Sequence, residues 1–140
     1  MGFHYLILEE ERVVSIELFN RVDLACLDKM RQEFDSNPKY TPDLNILCDL
    51  SQLAEIDLNF AQMMQAISMR SAFYEQCTDM KMAFWAPQDL PYGMARMFSS
   101  LIDRFPGVTA GVFRDWESAV EFSGCDPQVF ETRDTGTNQG

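Results

Sequence analysis

The sequence predicts a single α/β domain built on a mixed five-stranded sheet, in the order β-β-α-β-α-β-α-β-α. Three observations carry this. Short β-rich runs alternate with helical apolar periods along the 140 residues. The first two β runs are separated only by an acidic turn and form an N-terminal hairpin, whereas the later ones are separated by helix-length segments that impose parallel crossovers. The chain is 46% hydrophobic and 12% aromatic, enough to bury a core between helices and sheet.

Each element has its own signal. Tyr5 to Leu8 and Val13 to Leu18 are strand-like and flank Glu9-Glu10-Glu11-Arg12. In the second run Val14, Ile16 and Leu18 share one face, and Val13, Ser15 and Glu17 share the other. Asp23 is placed to cap a helix whose apolar stripe is Leu24, Leu27, Met30 and Phe34, ended by Ser36-Asn37-Pro38. Leu44 to Leu50 reads as a buried central strand, followed by a turn. Phe60 to Cys77 reads as the longest helix. Phe60, Met63, Met64, Ile67 and Tyr74 line one side of it, and Met69 and Phe73 lie off that stripe. Lys81 to Ala86 is the next strand, stopped by Pro87. Met94, Met97, Phe98, Leu101, Ile102 and Phe105 then keep helical spacing up to Pro106-Gly107. Thr109 to Phe113 is the last strand, and Asp115 caps a final helix carrying Trp116, Ala119 and Val120. Residues 1–124 thus form the domain. Residues 125–140 read as a polar, flexible tail, the last ten above all.

Charge and composition exclude several roles. Eleven Lys+Arg stand against 22 Asp+Glu, a net charge of -11, so neither a nucleic-acid backbone nor an anionic membrane surface is a suitable partner. The one histidine, His4, cannot build a multi-histidine metal site or a Ser-His-Asp triad without a G-x-S-x-G elbow. No glycine-rich phosphate loop occurs, and no cofactor or metal is expected. Cys26, Cys48, Cys77 and Cys125 include no C-x-x-C pair, and Cys26 and Cys48 fall within apolar patterns as inert core. The N-terminus lacks the basic start and long apolar stretch of a signal peptide, and no apolar run approaches the roughly 20 residues of a membrane helix. The expectation is a cytoplasmic, non-enzymatic protein with reduced thiols and no membrane insertion.

The segment Ile46-Leu47-Cys48-Asp49-Leu50-Ser51-Gln52-Leu53-Ala54-Glu55-Ile56-Asp57 resembles the centre of STAS domains, the anti-sigma-factor-antagonist family. There a buried strand ends in Asp-Leu-Ser before a turn to an Asp that starts the next helix. Gly93 to Phe98 and Val112 to Ala119 look like the SpoIIAA-like branch of that group, also described as STAS/SEC14-like. The resemblance spans roughly residues 4–123 in element order. It implies a STAS-like fold and a regulatory module acting through a protein partner. In the antagonists an Asp-Ser-Ser-Gly motif opens the helix and one serine is phosphorylated. Here those positions are Asp57-Leu58-Asn59-Phe60, and neither Leu58 nor Asn59 carries a hydroxyl. The phospho-switch is absent at its family position.

Asp49, Ser51, Asp57, Leu58 and Asn59 make a candidate partner loop, although Asp57 reads more simply as an N-cap and Ser51 as a turn serine. Asp49 ends a strand, where open α/β sheets place ligands. Ser51 is the hydroxyl near that loop and an alternative phosphosite. Met63, Met64, Met69 and Phe73 make a candidate surface for self-association as a homodimer or for an apolar, lipid-like ligand, because methionine adapts to irregular contacts. Core filling is the simpler reading of the same residues. Trp85 and Tyr92 suggest an apolar pocket beyond a strand end. The leading expectation is a non-catalytic protein-interaction module, and the alternative is a SEC14-like carrier of a small apolar ligand.

Overall fold

Period-two alternation in the central strands divides the protein into two cores on opposite faces of one sheet. The computed structural model describes residues 2–130. The strands are β1 (Gly2–Leu8), β2 (Val13–Asp23), β3 (Asn45–Asp57), β4 (Met80–Trp85) and β5 (Val108–Phe113), and they lie side by side in chain order. β1 pairs antiparallel with β2; all later pairs are parallel. The helices are α1 (Leu24–Ser36), α2 (Phe60–Met69), α3 (Ser71–Gln76), α4 (Asp89–Ile102) and α5 (Trp116–Ser123). On one face Val14, Ile16, Ile46, Cys48, Met82 and Phe84 pack beneath α1 to α4. On the other, Val13, Leu47 and Ala83 pack beneath Ala119 and Val120 of α5. The expected mixed five-stranded α/β architecture is therefore present.

The local signals hold where a side chain can satisfy backbone donors. Asp23 caps α1, its Oδ1 accepting from the Cys26 N–H at 2.8 Å, and Asp115 caps α5 by accepting from the Ser118 N–H at 2.9 Å. The acidic hairpin turn closes with the Arg12 N–H donating to the Glu9 carbonyl at 3.2 Å, and Arg12 takes a φ of 60°.

Four boundaries differ from the expectation. β2 continues past Leu18 to Asp23, and β3 past Leu50 to Asp57, because the two strands keep pairing through polar residues. Two register shifts accompany this: β3 advances by three positions from Asp49 to Gln52 against two of β2 from Glu17 to Phe19, and by two from Leu53 to Glu55 against one from Asn20 to Arg21. Ser51 is thus a strand residue rather than a turn serine, and Asp57 ends the strand rather than capping the next helix. The helix expected over 60–77 is broken at Arg70, which ends α2 and starts α3 with φ -110° and ψ 8°. α4 begins earlier than its apolar stripe, at Asp89, and ends at Ile102, leaving Phe105 to be buried from the following turn. Gly107 follows because a Cβ there would come within 1.8 Å of the Cys77 carbonyl oxygen. Packing also continues past the expected domain end at residue 124. Cys125 and Phe130 are buried on the α5 face, with Phe130 edge-on to Trp116 at 5.2 Å. The tail expected over the last ten residues lies outside the described residues.

Candidate functional site

An apolar cavity of about 150 Å³ lies between the sheet and the α1–α2–α4 layer. Its floor follows from strand alternation: Ile16 and Leu18 of β2, Ile46 and Cys48 of β3, and Met82 and Phe84 of β4 point to the same face. Its roof consists of Leu27 and Met30 of α1, Met63, Ala66 and Met69 of α2, and Pro91, Met94 and Phe98 of α4. Met30, Met63, Met69, Met82 and Met94, five of the nine methionines, line it. Methionine has three side-chain torsions and a polarizable sulfur, so this wall can reshape around an occupant.

One end of the cavity is charged. Arg70, whose side chain is only 10% exposed, donates from Nη1 to Asp35 Oδ1 at 2.8 Å. Its guanidinium carbon lies 4.1 Å from the Phe73 ring centroid and 5.4 Å from that of Tyr40, with Phe34 and Tyr74 at 5.8 and 6.0 Å. The break between α2 and α3 produces this nest, because it turns Phe73 and Tyr74 around the arginine that precedes them. Arg31 lines the same end, paired with Asp28 at 2.7 Å and Asp35 at 3.1 Å. Burial pushes the Tyr40 and Tyr74 phenols up, opposed by the Arg70 charge. Burial likewise pushes the Cys48 thiol far up, and Asp49 adds to it, so this thiol does not ionise as a nucleophile at neutral pH.

The structure divides the sequence candidates. Met63 and Met69 line the cavity, Met64 faces outward beside Phe60, and Phe73 stacks against Arg70. Leu58 lines the cavity as well. Asp57 does not cap α2: it ion-pairs with Arg21, and Asn59 caps the helix, accepting from the Gln62 N–H at 2.8 Å in a reciprocal capping box. Asp49 lies on the α5 face and accepts from the Ser51 N–H at 2.8 Å. It lines a groove with His4, Glu17, Trp85, Trp116 and Phe130, away from the cavity. Trp85 and Tyr92 pack on opposite faces of the sheet. Trp85 packs against Trp116 at 5.0 Å and donates from Nε1 to the Arg114 carbonyl, whereas Tyr92 lies under the Arg114 guanidinium at 4.0 Å. Arg114 in turn holds the start of α4 through Asp89 at 2.7 Å and the Pro87 carbonyl at 3.1 Å.

Sequence reasoning missed Arg70, Met30 and Met94 as site residues. Their signal was present but diffuse: a lone cation inside the aromatic run ending in Phe73 and Tyr74, and a methionine on each inward helix stripe.

Among the described residues, no helix is long and apolar enough to cross a membrane, and no group of three or more His, Cys, Asp or Glu is arranged to hold a metal ion. No family model matches the chain. No curated protein matches it significantly. Among solved structures it is similar to an uncharacterised DUF3478-family protein with a SpoIIAA-like fold from Shewanella loihica PV-4. The two are 13% identical, with a TM-score of 0.55, over 86% of this chain and 92% of that one. The chain has a SpoIIAA-like α/β fold.

Proposed function

We propose that this protein is a non-catalytic binding module that holds a small apolar molecule in the cavity beneath α1, α2 and α4. The observation that carries the reading is the apolar space of about 150 Å³ lined by five methionines. A cavity of this volume accepts a benzene-sized group. The methionines of its wall can reshape around an occupant. Native mass spectrometry of the freshly purified full chain tests this. An adduct that is displaced by added toluene supports the reading; bare protein that also fails to bind toluene contradicts it.

A second reading, a protein-contact module, rests on a different observation. Phe60 and Met64 on α2 are 54% and 38% exposed, and Leu90 and Met97 on α4 are exposed as well. If this patch is a self-association surface, light scattering at high micromolar concentration gives a dimer that Met64→Glu dissociates. A monomer unchanged by Met64→Glu contradicts it.

A further inference from the structure

We infer that the ligand of the cavity is a small carboxylic acid, with its hydrocarbon part among the methionines and its carboxylate on Arg70. This rests on the cavity reading above and specifies the ligand class. Arg70, its side chain nine-tenths buried, sits with Arg31 at one end of a space whose wall is mainly apolar. Filling such a space requires no cation; hydrocarbon contact alone would serve. A guanidinium in a low-dielectric wall instead favours an anion with two acceptor oxygens, because its planar fork matches a carboxylate.

Asp35 makes an exchange feasible. Its side chain is half-exposed, and it is held by two arginines, Arg70 at 2.8 Å and Arg31 at 3.1 Å. A ligand carboxylate that takes the Arg70 fork leaves Asp35 paired with Arg31 and able to turn toward water. No buried charge is then left unpaired, which is the condition for a charged ligand to bind in such a place. The aromatic rings of Phe73 and Tyr40 hold the guanidinium in position during the exchange. The protein's net charge of -11 repels anions in general, so the preference must arise from this local fork and should vanish with it.

The test compares hexanoate with hexan-1-ol by isothermal titration calorimetry on the full chain, in the wild type and in Arg70→Met, which keeps an unbranched apolar stem. In the wild type hexanoate binds at least tenfold more tightly than hexan-1-ol. In Arg70→Met the preference disappears and hexan-1-ol binding remains. Asp35→Asn, which removes the competing carboxylate, strengthens hexanoate binding severalfold. Equal binding of acid and alcohol to the wild type, or a preference unchanged by Arg70→Met, overturns the inference while leaving the cavity reading intact. Binding of neither compound overturns both. If Arg70→Met does not fold, the decision falls to the wild-type comparison with Asp35→Asn, where an unchanged or weakened hexanoate affinity overturns the inference.

Discussion

Arg70 Nη1 and Asp35 Oδ1 are 2.8 Å apart, which ties the break between α2 and α3 to the last turn of α1 across the charged end of the cavity. The two partners are not equivalent: Arg70 is nearly buried among aromatic rings, and Asp35 is 51% exposed. Removing the arginine should therefore cost more than removing the aspartate. Urea unfolding of Arg70→Ala should show a loss of about 2 kcal/mol, from the cation–π contacts and the buried stem. Asp35→Ala should lose less than about 1 kcal/mol, as exposed pairs do. Equal losses would place the stabilisation in the ion pair instead.

Ala66 lines the roof of the cavity, so Ala66→Ile should fill it. Its stability should stay within about 1 kcal/mol of wild type, because the added methylenes enter existing space. Toluene affinity should fall at least tenfold by calorimetry. Met63→Ala acts oppositely: it should cost about 2–4 kcal/mol and admit a bulkier ligand such as naphthalene.

At the start of α2 the cap is Asn59 and not Asp57, which the sequence suggests. Asn59 carries the capping box, so Asn59→Ala should lower unfolding free energy by about 1 kcal/mol. Asp57→Ala removes an exposed pair with Arg21 and should change it by less than about 0.5 kcal/mol.

Acid sensitivity should follow the helix caps. The Cys26 N–H holds the Asp23 carboxyl below its ordinary 3.8, against the opposing effect of burial and with help from Arg21. The Ser118 hydroxyl and N–H hold Asp115 low in the same way. A carboxyl depressed in the folded state adds stability that is complete above its unfolded value and disappears as pH falls through the folded one. Melting temperature measured from pH 7 downward should therefore stay level until about pH 4 and then fall. Asp23→Asn should start lower and fall less steeply.

The fold was legible because its signals are local. Alternation at Val13 to Leu18 assigned both sheet faces, and Asp23 and Asp115 marked helix starts that backbone donors require. The misses were tertiary. β3 extends through Ser51 and Asp57 only because β2 runs alongside it, and no property of those residues alone reports a partner strand. The stripe from Phe60 to Tyr74 keeps helical spacing in sequence, and nothing in it reports the break at Arg70, whose guanidinium pairs with Asp35, 35 residues earlier. The same holds for the site. Methionine content pointed to adaptable contacts, but the sequence could not separate Met63, which faces the cavity, from Met64, which faces out. Trp85 and Tyr92 are close in sequence, yet α4 carries Tyr92 to the opposite face from Trp85.

Methionine methyl NMR on the full chain addresses the cavity most directly, since the nine methionines report from both inside and outside it. On addition of toluene, the methyl signals of Met30, Met63, Met69, Met82 and Met94 should shift together and saturate, while those of Met64 and Met97 stay in place. Shifts confined to Met64 and Met97, or no shifts at all, would contradict the binding-module account.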